Sequence, residues 1–251
     1  MMEHTPRRVL VANWKMHKTC VDAIDFLEVF IPQLPSLPAD VEIVIAAPFT
    51  ALAAMRGRLG VNHRIKLGAQ NVHPQPSGAY TGEISIPMLQ ELGVTHVIVG
   101  HSERRLYAHE TDADINAKTR ALLAADLTPI IAVGESSDER DALHTIERVV
   151  SQTRGALHGL IREAVERTIL AYEPIWAIGT GRNCAVADAH AAMTAIRGSV
   201  DGLADVPILY GGSMKPENVR EYLASQAING GLVGGAALAP ESFAEMIRHA
   251  A

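Results

Sequence analysis

Aromatic residues are scarce in this chain, only 4% of its 251 residues. Its core must therefore be aliphatic and alanine-rich, which suits helices packed on a sheet whose strands are buried on both faces. Cysteine is nearly absent too. Cys20 and Cys184 are far apart and lack metal-ligand spacing, which argues against a disulfide framework and fits a reducing, cytoplasmic compartment. Positive charge is not in excess: 22 basic residues face 28 acidic ones, a net charge of −6. A nucleic-acid-binding face is not expected, and an anionic ligand must be gripped locally rather than by bulk attraction. No uninterrupted apolar run reaches the roughly 18 residues of a membrane span, and the N-terminal stretch lacks the apolar centre of a secretory signal. Neither membrane insertion nor secretion is expected. No Pro/Ser-rich linker or charge block divides the chain, so residues 1–251 read as one domain of a size that a (β/α) barrel fills.

What the chain does have is a sustained alternation of short apolar runs and helix-period segments. Strands are predicted at Arg8–Asn13, Val41–Ala47, Ile65–Gln70, His96–Gly100, Pro129–Gly134, Thr168–Glu173, Pro207–Tyr210 and Gly231–Gly234. Helices are predicted at Thr19–Ile31, Ala51–Leu59, a short one ending Met88–Leu92, Asp112–Ala125, a long one over Asp138–Leu157, Ala187–Val200, Pro216–Ala224 and Pro240–His249. Eight strand–helix units in one series predict an α/β chain with a closed, parallel, eight-stranded core. The competing doubly wound sheet would usually carry a glycine-rich fingerprint after its first strand; here that strand ends in Asn13-Trp14-Lys15.

Barrel active sites sit at the C-terminal ends of the strands, so the polar residues there matter most. The stretch Ala171–Arg182 ends a strand in Glu173, stiffens at Pro174 and Trp176, and then loosens at Gly179 and Gly181. Glu173, His101 and Lys15 form a candidate proton-transfer set. Gly179, Ser213 and Gly234-Gly235 form a set of flexible backbone segments on consecutive loops. Main-chain N–H groups of such loops bind phosphate without a basic patch. Together they point to a small phosphorylated substrate with acid–base chemistry at its far end. Plainer readings stand beside these. Lys15 can be a solvated cation, His101 a structural histidine, and the Gly-Gly pairs turn punctuation. Glu103 is expected to pair with Arg104 or Arg105, and Glu135 and Gln70 to hold loops.

These segments resemble the triosephosphate isomerase family. The resemblance rests on Asn13-Trp14-Lys15-Met16, Gly68-Ala69-Gln70-Asn71-Val72, Gly78-Ala79-Tyr80-Thr81-Gly82-Glu83 and Gly100-His101-Ser102-Glu103-Arg104-Arg105. It continues through Val133-Gly134-Glu135, Ala171–Gly181, Tyr210-Gly211-Gly212-Ser213 and Gly231-Leu232-Val233-Gly234-Gly235-Ala236. The motifs run in family order and cover essentially the whole chain.

The resemblance implies a TIM barrel that interconverts dihydroxyacetone phosphate and D-glyceraldehyde 3-phosphate through an enediolate, without cofactor or metal, in cytoplasmic glycolysis and gluconeogenesis. It makes Glu173 the base, His101 the electrophile at the carbonyl, and Lys15 a cation near the substrate oxygens with Asn13 beside it. Main-chain amides of Gly179, Ser213, Gly234 and Gly235 would hold the phosphate, and the segment after Glu173 would be a lid. The Gly78–Ser85 loop would insert into a second subunit, implying a homodimer. The alternatives are a family cousin acting on a tetrulose (erythrulose) phosphate and an inactive sugar-phosphate-binding homologue. Departures from the family pattern fall at Arg182-Asn183-Cys184, where Cys184 is expected to be exposed, and at Ala185-Val186, which lacks a helix-capping side chain. Ala132 replaces a frequent cysteine, and Asn229 and Ala237 replace residues expected near the phosphate loop.

Overall fold

The structure is a computed structural model that describes residues 7–34, 36, 41–60, 64–178 and 182–251. Its strands are β1 (Arg8–Asn13), β2 (Val41–Ala47), β3 (Ile65–Ala69), β4 (Val94–Val99), β5 (Thr128–Val133), β6 (Ile169–Tyr172), β7 (Ile208–Tyr210) and β8 (Gly230–Val233). Each pairs in parallel with the next, and β1 pairs with β8 from Val9↔Gly230 to Ala12↔Val233. The sheet is a closed barrel in sequence order, the TIM barrel arrangement.

The apolar runs form strands because both of their faces are covered. Inside the barrel lies a cluster of small aliphatic side chains, including Val9, Val11, Val44, Ile98, Ile130, Ile169 and Leu232. The alternate residues, such as Leu10, Ile43, Ile45, Leu67 and Leu170, face a second cluster under the helices. This period-two division puts an apolar side chain at almost every position.

The surrounding helices are α1 (Cys20–Phe30), α2 (Phe49–Leu59), α3 (Ile86–Glu91), α4 (Ser102–Tyr107), α5 (Asp112–Ala124), α6 (Ser137–Asp141), α7 (Thr145–Ala156), α8 (Arg162–Val165), α9 (Val186–Arg197), α10 (Val219–Leu223) and α11 (Pro240–Ala250). Thr19, Thr111 and Ser136 open α1, α5 and α6 with reciprocal capping boxes to Asp22, Asp114 and Glu139. None of the helices among the described residues is long and apolar enough to cross a membrane.

The long helix predicted over Asp138–Leu157 is in fact two. The chain leaves α6 through Leu143, at φ 60°. The His144 amide bonds the Glu139 carbonyl at 2.8 Å, and the Leu143 amide bonds that of Arg140 at 2.9 Å, a Schellman ending. The cause is burial: α6 buries no side chain, whereas α7 buries Val149, Gln152, Thr153 and Ala156. The short α8 before β6 was not predicted, since only Val165 of its four residues is buried.

Candidate active site

The carboxyl ends of the strands converge on a pocket of about 250 Å³ lined by Asn13, Lys15, His101, Glu173, Ser213, Gly234 and Gly235. Seven of the eight residues predicted for the site are thereby brought together; the eighth, Gly179, lies outside the described residues. Asn13 ends β1, and its Oδ1 accepts the Lys15 amide at 3.1 Å. That turn holds Lys15 at φ 50°, a left-handed conformation costly for a side chain with a Cβ. Gln70 fixes it from the next wall: its Nε2 donates to the Lys15 carbonyl at 2.9 Å and to that of Ala46 at 3.0 Å. Gln70 is thus the loop holder expected of it.

The pairing expected for Glu103 is not found. Its Oε1 meets Lys15 Nζ at 2.7 Å, whereas Arg104 is paired with Glu110 and Arg105 with Asp112. Adjacent residues on a helix do not face one another, so Arg104 is turned from Glu103, and the positive-φ turn delivers Lys15 instead.

Glu173 follows β6 and is buried, 2% exposed. Its Oε1 stands 3.0 Å from His101 Nε2, and its Oε2 accepts the Ser102 amide at 2.9 Å. Burial acts to raise its pKa, but His101 and the Ser102 N–H favour the anion more strongly and hold it below the ordinary carboxylate range. On His101, burial opposes protonation, but the Glu173 carboxylate promotes it more strongly, so these influences alone would raise its pKa. Hydrogen-bond geometry decides the ring's state. Nδ1 accepts the Glu103 amide at 3.2 Å in the first turn of α4. A second ring proton would point at that N–H. The ring is therefore neutral, with its proton on Nε2, and it donates to Glu173.

Two neighbours of Glu173 were not singled out as packing partners in the sequence. A Cβ on Gly134 would lie 1.7 Å from the Glu173 carbonyl oxygen, and one on Gly211 2.8 Å from Glu173 Cγ. Glycine on both flanking strands is what lets the carboxylate sit this deep. By contrast, a Cβ on Gly235 would meet no heavy atom within 4 Å, and one on Gly234 only Lys15 Cε at 3.5 Å. The protein does not crowd those two residues; the space in front of them belongs to the pocket.

Glu135 holds the start of the segment after Glu173. Its Oε1 accepts from Trp176 Nε1 at 2.7 Å and from the Tyr172 hydroxyl at 3.1 Å, and its main-chain oxygen accepts the Ile175 amide at 3.2 Å. Burial raises its pKa. Ser213 Oγ donates to the Ala177 carbonyl at 3.2 Å.

Two expectations about the departures are corrected. Cys184 is buried, 1% exposed, because the segment after Arg182 folds inward onto Tyr222. Asn229 is remote from the pocket. It precedes β8 at the amino end of the barrel, where its Oδ1 accepts from Arg197 at 2.7 Å and from the Ile208 amide at 3.0 Å. Ala185 indeed gives α9 no side-chain cap.

A buried carboxylate bonded to a neutral imidazole, with a lysine and uncrowded loop amides on the same pocket, can move a proton on a small anionic molecule and stabilise the oxyanion that results. Comparison with known proteins agrees. The profile of the family described as triosephosphate isomerase matches residues 8–250. The triosephosphate isomerase of Acaryochloris marina is 46% identical over 244 residues, covering 97% of this chain and 99% of that protein. Those of Caldanaerobacter subterraneus and Symbiobacterium thermophilum are 44% and 47% identical over 249 residues, each covering 97% of this chain and 99% and 96% of theirs. On fold and on sequence, this chain belongs to the triosephosphate isomerase family.

Proposed function

We propose that the chain interconverts dihydroxyacetone phosphate and D-glyceraldehyde 3-phosphate without a cofactor, as a cytoplasmic enzyme of glycolysis and gluconeogenesis whose residues 1–251 form one catalytic domain. The observation that carries the reading is the 3.0 Å contact between Glu173 and His101 at the end of a pocket whose other wall is uncrowded loop backbone. Glu173 exchanges its Ser102 and His101 contacts for the substrate and removes a proton from C1 or C2. The Nε2–H of His101 donates to the carbonyl oxygen as it gains charge. Lys15, with Asn13 beside it, adds a positive charge near the same oxygens. As the proton returns from Glu173 to the neighbouring carbon, the hydroxyl proton passes from one enediolate oxygen to the other, so that the former hydroxyl carbon becomes the carbonyl. The main-chain amides of Ser213, Gly234 and Gly235, and by family resemblance Gly179, hold the phosphate. The segment after Glu173 acts as a lid that excludes water from the enediolate.

The relatives carry the triose name, so neither the tetrulose cousin nor the idle binder is retained. The test is turnover of D-glyceraldehyde 3-phosphate beside erythrulose phosphates. Faster turnover of the four-carbon ketose overturns the triose assignment.

The chain works as a homodimer through the Gly78–Ser85 loop. A second pocket of about 220 Å³ shares Asn13, Lys15 and His101 with the first and is lined further by Met16, Gln70, Glu103 and Arg104. Met16 is 95% exposed and Tyr80, on the loop, 46%; a second copy covers both, its loop lying on Met16 and its own pocket receiving Tyr80. Sedimentation that gives a monomer at micromolar concentration overturns this.

A further inference from the structure

Tyr222 lies on α10, outside the barrel, and none of the roles above uses it. It is 3% exposed, and its ring stacks on Tyr210 at the end of β7, with centroids 4.2 Å apart and planes 15° apart. Its hydroxyl donates to the main-chain oxygen of Cys184 at 2.6 Å. The Tyr222 and Tyr210 hydroxyls are 3.3 Å apart; with the Tyr222 proton on Cys184, Tyr210 is the donor between them.

Cys184 stands at the far root of the segment that begins at Glu173. The start of α9 does not tie this root, because Ala185 provides no capping side chain. Tyr210 lies beneath the β7 loop, since a Cβ on Gly212 would fall 2.2 Å from its hydroxyl oxygen. The same loop reaches the near root as well, through Ser213 Oγ on the Ala177 carbonyl at 3.2 Å. One loop therefore touches both roots: directly at Ala177, and through Tyr210 and Tyr222 at Cys184.

We propose that Tyr222 is a positioning residue that ties the far root of the Glu173 segment to the β7 loop, so that a phosphate held by that loop also orders the root. The proposal rests on the isomerase reading above and deepens it. A network of this kind, touching neither reacting carbon, couples sites through packed rings and hydrogen bonds.

Tyr222→Phe keeps the stacked ring and deletes one hydroxyl. Glycerol 3-phosphate has the phosphate but no carbonyl to react, so its Kd reads the grip alone. That Kd and the KM for D-glyceraldehyde 3-phosphate are expected to rise together by about 2- to 30-fold. The fraction of turnovers ending in free phosphate is also expected to rise. In that side reaction the enediolate oxygen re-forms a carbonyl, the double bond shifts, and the carbon–oxygen bond to phosphate breaks with its electron pair on the leaving group. A purely structural Tyr222 would lower the melting temperature and leave both constants and the phosphate fraction within twofold, and that result overturns the proposal. A second measurement needs no variant: saturating glycerol 3-phosphate is expected to slow amide exchange at residues 182–186 of the wild-type protein, and unchanged exchange also overturns it. If the wild-type protein turns over no triose phosphate, the isomerase reading falls by itself, while the glycerol 3-phosphate and exchange measurements still judge Tyr222.

Discussion

Cγ of Glu173 fills the space that a side chain on Gly211 would need, 2.8 Å from where its Cβ would stand. Gly211→Ala is therefore expected to push the carboxylate out of place while leaving the phosphate side untouched. A displacement of about 1 Å costs about 10²-fold, so kcat should fall by roughly that factor with KM little changed. Gly235→Ala is the contrast, because its added methyl meets no protein atom within 4 Å. It should leave the melting temperature alone and raise KM about tenfold, the worth of one hindered hydrogen bond. Steady-state kinetics and thermal melts on the two variants check this; equal effects on kcat would refute the division of the pocket.

Glu173→Gln keeps the size of the side chain and removes the proposed base. Its kcat should drop about 10² to 10⁴-fold, the usual contribution of a positioned proton acceptor. Because the anion is favoured by His101 and the Ser102 N–H against burial, the Glu173 carboxyl of the free enzyme is expected to titrate below the ordinary carboxylate range. The substrate phosphate itself ionises at about pH 6 and adds its own limb to kcat/KM, so the carboxyl is read directly by NMR titration of the free enzyme. A carboxyl that titrates above the ordinary range would contradict the geometry.

At the opposite mouth of the barrel, His96 is buried, and its pKa falls from 6.5 to about 3, first through burial and then through Arg7 and Lys66. Glu42 Oε1 on β2 is 3.5 Å from its Nε2, and the Thr95 hydroxyl 2.8 Å from its Nδ1. The unfolded chain takes up this proton near pH 6.5 and the folded chain only near 3. Between those values stability falls as pH falls, by up to about 1.4 kcal/mol per pH unit. Urea unfolding of His96→Gln at pH 4 to 7 should show a shallower slope than the wild type; parallel curves would remove His96 from the account.

Lys118 and Glu110 form an ion pair beneath the pocket's edge, with Arg104 on the same carboxylate and Asn71 Oδ1 accepting from Lys118 at 2.7 Å. Burial works to raise the Glu110 pKa, but the two cations hold it below the usual range. Lys118→Met removes one partner of a buried pair and should cost about 3 kcal/mol. Adding Glu110→Leu should recover part of that loss, as apolar replacement of a whole pair does. Denaturant titrations of the single and double variants measure both.

Cys20 is exposed and Cys184 buried. Burial pushes the Cys184 thiol up to about 12, so it has little thiolate at neutral pH. A thiol reagent should add one label to the native protein, at Cys20, and two after denaturation. Rapid labelling of Cys184 in the native state would show that its root opens freely.

The strands were legible because a run such as RVLVAN on β1 must be buried on both faces, and a closed parallel sheet does that for every strand. Lys15, His101 and Glu173 were legible because the fold puts each at a strand's carboxyl end. Partners across space were not. Nothing in the order Ser102-Glu103-Arg104 says that α4 turns Glu103 toward Lys15, or that a tyrosine on α10 faces Cys184. The break at Leu143 was hidden because helical periodicity continues across it, while the loss of burial in α6 does not register as a pattern. Asn229 is near Gly234 in sequence but not in space, because the length of β8 separates them.

The pairing of β1 with β8 sets an order of events during synthesis. β1 emerges early and finds β2 soon after, but its other edge has no partner until β8 follows, nearly the whole chain later. Until then that edge is an open template for a neighbouring chain. Closure is a long-range contact of the kind that folds slowly. Arg8 then clasps the Ala250 carbonyl at 2.6 Å, joining the first strand to the last helix. Crowded ribosomes and slow translation of the final units are where this chain is most exposed to misassembly.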